Sequence, residues 1–154
     1  TRRYGLEAEG RWRVSDGLDV FANYTYAVSN FRAGSFGGMP IAGNDVPLVP
    51  RHAFNAGVGG AFAQRTRLDA VLRYTSEQVF DGDETNTFGR KIPAYTVVDL
   101  KLAHEAGGWL FNAGIRNLFN EKYFSYGVFT GFPTFSALPA PERAVFVSAQ
   151  YTFK

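Results

Sequence analysis

Apolar and polar side chains alternate along seven stretches of the chain, a pattern typical of β-strands whose two faces meet different surroundings. The predicted strands are 4–14, 18–28, 52–62, 68–74, 96–104, 109–117 and 143–153. Short turns and long loops connect them in strict alternation. The short turns lie at 15–17, 63–67 and 105–108, and the long loops at 29–51, about 77–94 and about 118–142. The pattern predicts an all-β fold of antiparallel hairpins.

One face of these strands is nearly free of charge. This apolar face comprises the even positions of the first five strands and the odd positions of the last two. It has 38 positions, of which only Arg143 is formally charged, whereas the opposite, charged face has 31 positions and ten charged residues. Those ten are Glu7, Glu9, Arg11, Arg13, Asp19, Asp69, Arg73, Asp99, Lys101 and Arg116. The apolar face must therefore meet surroundings that exclude charge.

Three features favour lipid over the interior of a soluble β-sandwich or lipocalin-like barrel. Outer-membrane barrels alternate short turns with long loops in the same way. Most of the predicted strands have 9 to 11 residues, about the length that a tilted strand needs to cross a bilayer. Aromatic residues of the apolar face gather near both strand ends, like the girdles at membrane interfaces. They are Trp12, Phe62, Trp109, Tyr151 and Phe153 at the short-turn end, and Tyr4, Tyr26, Phe54 and Tyr74 at the long-loop end. The pattern therefore predicts a transmembrane antiparallel β-barrel.

The composition of the chain excludes several kinds of binding site and partner. The 154 residues are 45% hydrophobic and 19% charged, and they contain no Cys, which excludes disulfides and thiolate metal sites. The net charge is +2, and the 16 basic residues are spread along the chain without the dense runs of a phosphate-binding patch. No nucleic-acid partner is expected. On the charged face, the first turn should place Arg13 opposite Asp19, and a plausible register places Arg73 opposite Asp99.

The segment Asn117-Leu118-Phe119-Asn120-Glu121-Lys122-Tyr123 resembles a motif that closes the penultimate strand in TonB-dependent outer-membrane receptors. Further family patterns follow the same order along the chain. They are Val49-Pro50-Arg51-His52, Ile92-Pro93-Ala94-Tyr95-Thr96-Val97-Val98-Asp99, Pro139-Ala140-Pro141-Glu142-Arg143 and Gln150-Tyr151-Thr152-Phe153. Asn117 and Asn120 suit a strand end and a turn, so we expect the motif to be structural.

The resemblance implies a barrel of 22 strands plugged by an N-terminal domain, which imports ferric siderophores, haem, cobalamin or other scarce nutrients. This chain departs from the family because it holds seven strands, lacks the plug domain and the energy-coupling peptide, and ends in Lys154 where an aromatic residue is usual. We therefore interpret residues 1–154 as the C-terminal segment of the receptor barrel. Its long loops should be extracellular, and its short turns and C-terminus periplasmic.

The expected function is energy-coupled uptake of a scarce nutrient such as a ferric siderophore, without enzymatic activity or a cofactor. The implied partners are outer-membrane lipid and lipopolysaccharide, the TonB energy-coupling protein acting through the plug, and a small iron chelate. Two alternatives stay open. One is a passive porin-like channel, and the other is a lipid hydrolase in the barrel wall that would use His52 or His104.

Aromatic and apolar side chains in the long loops are candidates for ligand binding at the outer mouth. They are Phe36, Met39, Phe80, Phe88, Tyr126, Phe129, Phe132 and Phe135. The charges of the first and third loops nearly cancel, so no basic funnel attracts an anionic siderophore. These side chains could equally pack on one another or on lipopolysaccharide.

Three carboxylates cluster in the second long loop, at Asp81, Asp83 and Glu84. Calcium prefers such hard oxygen ligands. The spacing does not fit an EF-hand, because the sixth position from Asp81 is Asn86 where that loop requires glycine. We therefore expect a solvated acidic loop and keep calcium as the weaker alternative.

Overall fold

Thirteen β-strands make up the regular structure of a computed structural model that describes residues 1–153. The strands are β1 Arg2–Ser15, β2 Leu18–Asn30, β3 Ser35–Phe36, β4 Met39–Pro40, β5 His52–Ala63, β6 Thr66–Thr75, β7 Gln78–Val79, β8 Lys91–Ile92, β9 Tyr95–Ala106, β10 Trp109–Arg116, β11 Phe124–Gly131, β12 Thr134–Pro139 and β13 Ala144–Tyr151. Within the described range, no helix is long and apolar enough to cross a membrane. Lys154 lies outside the described residues.

Seven long strands form one antiparallel sheet in the order β1-β2-β5-β6-β9-β10-β13. These are the seven strands that the alternation predicts, and each observed end lies within two residues of the predicted one. The prediction of an all-β antiparallel fold is confirmed. Strands β1 and β13 are the two edges of this sheet, which is open among the described residues.

The strand register confirms that the apolar and charged positions occupy opposite faces. Paired residues share a face of a sheet, and partners across the sheet agree in character. One row of the apolar face runs through Trp12, Val20, Val58, Ala70, Leu100, Ile115 and Val145. The neighbouring row of the charged face runs through Arg13, Asp19, Gly59, Asp69 and Lys101. Each strand therefore contributes to the same two surfaces, as a barrel wall requires.

The predicted pairs on the charged face are correct in one case and shifted in the other. Arg13 lies directly opposite Asp19. Arg73 lies opposite Val97, and Asp99 lies opposite Val71, so the predicted register of Arg73 and Asp99 is wrong by two residues. The two side chains nevertheless meet diagonally, with 2.8 Å between the Arg73 guanidinium and the Asp99 carboxylate. A long arginine side chain spans the diagonal separation of neighbouring strands.

The regions predicted as long loops contain three small hairpins. Strands β3 and β4 pair within the first loop, β7 and β8 within the second, and β11 and β12 within the third. The last is a substantial hairpin with eight and six residues in its strands. Its sequence reads as a loop because Gly127, Gly131 and Pro133 interrupt the β pattern and its register shifts twice.

A buried hydrophobic cluster lies among the long loops, and the sheet adds the buried side chains of Val28 and Val97. Phe80, Phe88 and Ile92 form the cluster, and Leu48, Phe124 and Phe129 pack around it. Many large side chains on the apolar face of the sheet are exposed instead, such as Val147 with 77% of its surface exposed. The apolar face of the seven-stranded sheet, which we call the wall, therefore requires cover from surroundings outside the described chain. The loops, in contrast, bury apolar surface against one another.

Candidate ligand-binding loops

The first and second long loops are joined by backbone and side-chain hydrogen bonds. Asn86 holds the backbone of Asp45 on both sides: its Oδ1 accepts from the amide at 2.8 Å, and its Nδ2 donates to the carbonyl at 3.1 Å. Asn44 Nδ2 donates to the carbonyl of Glu84 at 3.0 Å. The amide of Leu48 donates to the carbonyl of Val79 at 3.0 Å. These contacts fix the two loops against each other.

The second and third loops are joined through Asp81. Its backbone lies beside β11, where its amide donates to Gly127 O at 2.9 Å and its carbonyl accepts from Phe129 N at 2.7 Å. The Tyr126 hydroxyl donates to the Asp81 carboxylate. This bond holds the phenolic proton and raises the pKa of Tyr126 above its ordinary value. The loops 31–51, 76–94 and 117–143 are thus one unit, which we call the loop assembly.

An aromatic cluster fills the interior of the loop assembly. The Phe88 ring lies 4.6 Å from the Phe129 ring and 5.5 Å from the Phe80 ring, between centroids, and Phe80 lies 5.1 Å from Phe135. Phe80 is 2% exposed and Phe88 is 6% exposed. Both candidates therefore face protein, and their side chains stabilise the loops by packing on one another.

Other candidate residues stand on the surface of the loop assembly. Phe36 and Met39 are neighbours across the β3–β4 hairpin, and both are about half exposed. Phe132 occupies the tip of the β11–β12 hairpin with 81% of its surface exposed. Phe135 pairs with Phe129 across the same hairpin and is partly exposed. The structure thus divides the sequence candidates into an internal cluster and two exposed hairpins.

Two of the three candidate carboxylates of the second loop, those of Asp81 and Asp83, accept hydrogen bonds within the loop assembly. Asp83 is 2% exposed and its Oδ1 accepts from the amides of Thr87 at 3.0 Å and Phe88 at 3.3 Å. Asp81 receives the hydroxyl of Tyr126. Across residues 1–153, no three side chains of the His, Asp and Glu types are grouped as they would be around a metal ion. The loop is therefore not a simple solvated run, since Asp83 is buried and organises the loop backbone.

The cations of the loop assembly differ in their surroundings. Arg51 donates to Asp45 at 2.8 Å, and this carboxylate raises the pKa of Arg51. Lys91 is paired with Glu77. Arg90 instead lies against aromatic rings, with its guanidinium carbon 5.9 Å from the centroids of Phe88 and Phe135. A count of loop charges in the sequence does not single out Arg90, because its contact with Phe135 joins the second and third loops.

The Asn117 motif forms a tight turn, as the sequence predicts. Asn117 is buried and adopts a left-handed backbone with φ of 53°, a conformation that asparagine tolerates better than most residues. Its amide donates to the Asp99 carboxylate at 2.9 Å. Its side chain both donates to the carbonyl of Glu121 and accepts from the Glu121 amide, at 2.9 and 2.8 Å. The structural role expected for Asn117 is confirmed.

The rest of the motif ties the third loop to the sheet. Asn120 also has a positive φ, of 54°, and its Oδ1 accepts from the amide of Arg143 at 2.9 Å. The Tyr123 ring stacks on Tyr95 with 4.1 Å between centroids. Burial raises the pKa of Tyr123. The two sequence patterns that contain Tyr95 and Tyr123 therefore meet in space.

The two histidines occupy the ends of the apolar face, as predicted, among polar and aromatic neighbours. His52 Nδ1 is 2.7 Å from the hydroxyl of Tyr24, and its ring lies 5.2 Å from that of Tyr26. His104 Nδ1 is 2.8 Å from the hydroxyl of Thr66. Each imidazole is thus hydrogen-bonded to a neighbouring strand near the end of its own strand.

The fold and the arrangement of its loops indicate the class of protein. The seven-stranded antiparallel sheet has one nearly uncharged face and one charged face, with short turns at one end and the loop assembly at the other. This is the architecture of outer-membrane β-barrels. A family model described as "TonB dependent receptor-like, beta-barrel" matches residues 1–118. The chain belongs to this family of receptor barrels, which consists of transport receptors of the outer membrane.

Curated relatives and solved structures agree with this assignment. The chain is 25% identical over 127 residues to the iron-regulated outer membrane virulence protein of Vibrio cholerae, covering 80% of this chain and 19% of that protein. It is 27% identical over 159 residues to the ferrioxamine receptor of Yersinia enterocolitica, covering 97% and 20%. The chain therefore spans about a fifth of the length of these relatives.

The fold is shared with crystallised receptors. The ferric yersiniabactin uptake receptor of Yersinia pestis superimposes with a TM-score of 0.82 at 24% identity, covering 99% of this chain and 23% of the receptor. A ferric citrate transporter in the unliganded form superimposes with a TM-score of 0.77 at 18% identity, covering 96% and 23%. At these identities the structures establish the fold alone.

Proposed function

We propose that this chain is the C-terminal part of the barrel of an outer-membrane receptor that takes up a ferric siderophore. The observation that carries the proposal is the ordered loop assembly at one end of a wall with an uncharged face. It presents Phe36, Met39 and Phe132 on its surface, and these side chains offer apolar contact to a hydrophobic or planar ligand. Relatives named as a ferrioxamine receptor and an iron-regulated outer membrane protein support iron as the cargo.

The proposal includes further strands outside residues 1–154. Strands β1 and β13 are the first and seventh in an antiparallel order, so they run in the same direction. They cannot pair with each other in an antiparallel ladder, and an unpaired edge is too costly in hydrocarbon. An odd number of additional strands between them closes an all-antiparallel barrel. A barrel of 22 strands, with 15 more than this sheet holds, meets that condition.

In this proposal, the apolar face contacts lipid, and its upper rim contacts lipopolysaccharide. The long loops are extracellular, and the short turns and the C-terminus are periplasmic. Ligand capture is shared between the loop assembly and the rest of the receptor, and import is driven by TonB acting through an N-terminal plug. The alternation of short and long connections supports this orientation, because outer-membrane barrels keep their short turns in the periplasm.

Uptake of radioactive iron by whole cells tests the proposal. The full-length receptor is expressed in a strain that lacks its own siderophore receptors, and ferric siderophores of the hydroxamate and catecholate classes are offered with and without an active TonB. We expect uptake of at least one complex that disappears without TonB. TonB-independent entry would favour a passive channel, and no uptake of any ferric complex would overturn the proposed cargo.

A matched pair of loop variants assigns the uptake to this segment. Phe132→Ala removes the exposed ring at the tip of the β11–β12 hairpin, whereas Thr130→Ala changes an exposed polar residue of the same hairpin. We expect Phe132→Ala to raise the ligand concentration required for half-maximal uptake, while Thr130→Ala leaves it unchanged. Equal behaviour of both variants would show that Phe132 takes no part in ligand capture.

A further inference from the structure

Arg90 is held at a defined place on the loop assembly by aromatic rings. Its guanidinium carbon lies 5.9 Å from the centroids of both Phe88 and Phe135. Phe88 is buried, and Phe135 is itself held by Phe80 at 5.1 Å. A guanidinium within about 6 Å of a ring centroid is attracted by the ring quadrupole. The otherwise flexible arginine side chain is therefore positioned in advance, while the residue stays exposed.

The positive charge of Arg90 is not neutralised within the structure. Of the five ion pairs found in residues 1–153, none includes Arg90. Its chain neighbour Lys91 is paired with Glu77. The buried carboxylate of Asp83 receives the amides of Thr87 and Phe88. Arg90 thus presents an unpaired cation next to partly exposed aromatic surface.

These surroundings select a particular ligand chemistry. A guanidinium offers five N–H donors in a planar arrangement that suits carboxylate and other anionic oxygens. The accessible part of Phe135 offers an apolar surface beside it, and Phe132 is exposed at the tip of the same hairpin. A neutral aliphatic ligand gains nothing from the charge, whereas an anion with flat rings uses both features.

We propose that Arg90 is a specificity-determining residue of the loop assembly and that it favours a negatively charged iron complex carrying aromatic groups. This inference rests on the proposed function, since it names the class of iron complex that the receptor takes. Net loop charge argues against such a ligand, because acidic and basic residues nearly cancel. The structure adds to this count, because Asp45 and Glu77 are paired with other cations and Asp83 is buried, whereas Arg90 is exposed and in none of the ion pairs.

The test compares two ferric probes on the full-length receptor purified in detergent. The ferric complex of three catechol ligands is anionic and aromatic, and the ferric complex of three acetohydroxamate ligands is neutral and aliphatic. Isothermal titration measures each affinity for the unmodified receptor, Arg90→Gln, Arg90→Lys and the control Arg32→Gln, which removes another exposed arginine of the loops. Thermal unfolding confirms that each variant is folded.

We expect Arg90→Gln to weaken binding of the catechol complex about tenfold, the usual effect of losing one charge-assisted hydrogen bond, and to leave the acetohydroxamate complex within twofold. Arg90→Lys should retain part of the affinity, and Arg32→Gln all of it. Equal loss of both probes, no loss, or a receptor that binds only the neutral probe would overturn the inference. Iron uptake is scored separately, so TonB-dependent import of a neutral siderophore with unchanged catechol binding would leave the proposed function standing.

Discussion

The guanidinium of Arg67 on β6 reaches the carboxylate of Asp19 on β2, two strands away, at 2.7 Å. Strand β5 lies between them, and its residue in this row is Gly59, which pairs with both Asp19 and Asp69. A Cβ at position 59 would collide with the Arg67 guanidinium and the Asp69 carboxylate. The absence of a side chain at Gly59 therefore lets one arginine join two aspartates across three strands.

A double-mutant cycle on Gly59 and Arg67 tests this relationship. Arg67→Gln should lower the free energy of unfolding of the full-length receptor only slightly, because the ion pairs are partly exposed and solvent screens them. Gly59→Leu should cost more, because it displaces the guanidinium from Asp19. In the Arg67→Gln background the same glycine change should cost less, as measured by thermal unfolding in detergent. Additive costs would show that Gly59 and Arg67 do not depend on each other.

Arginine on the apolar face should block membrane insertion. Leu100 and Val147 lie in the middle of this face, where a charge near the bilayer centre costs about 2–4 kcal/mol. We expect Leu100→Arg and Val147→Arg to reduce the receptor recovered in outer-membrane fractions. The matched change Ser148→Arg, on the charged face next to Val147, should be tolerated. Equal insertion of all three variants would remove the argument that this face meets lipid.

The Asn117 turn should be sensitive to its side chain. Asn117→Ala removes two part-buried hydrogen bonds to the backbone of Glu121 and places alanine at a left-handed φ. A typical hydrogen bond contributes about 0.5–1.5 kcal/mol, so the amount of folded receptor in the membrane should fall. Glu121→Ala is the control, since Asn117 contacts only the backbone of Glu121 and its side chain is exposed. Similar loss in both variants would point to the segment as a whole rather than to the Asn117 side chain.

Epitope tags test the orientation of the wall. Gly38 lies at the exposed tip of the β3–β4 hairpin with open space around it, and Gly107 lies in the short turn between β9 and β10. We expect an antibody to label a tag at Gly38 on intact cells and to label a tag at Gly107 only after the outer membrane is permeabilised. Asp83 is a poor insertion point because it organises its loop while buried. The reverse labelling pattern would invert the topology.

The chain of residues 1–154 alone should not behave as a stable monomer. Its sheet exposes the unpaired edges of β1 and β13 together with an apolar face, and both features promote association. We expect the refolded fragment to aggregate in detergent or to pair edge to edge, and to transport nothing. Mass determination and thermal unfolding measure this. A discrete monomer that unfolds cooperatively would show that the chain closes by itself.

The architecture of the wall is determined by the sequence alone. Side chains of a strand alternate between two faces with a period of two residues, and a bilayer excludes charge from one of them. Both constraints act on every residue of a strand, so Trp12, Val58 and Leu100 reveal their shared face without any knowledge of strand order. The same local logic identifies the turn at Asn117, since a left-handed position favours asparagine.

The contacts and burial of residues in the loop assembly depend on tertiary structure. Asp45 and Asn86 are separated by 41 residues, and no local period indicates that they bind each other. Phe80 and Phe132 look alike in sequence, yet one is buried in the cluster and the other is exposed. Arg90 acquires its contact with Phe135 only when β12 of the third loop packs on the second. The face on which a strand residue lies follows from local backbone geometry. The surroundings of a loop residue depend instead on which distant segment folds against it.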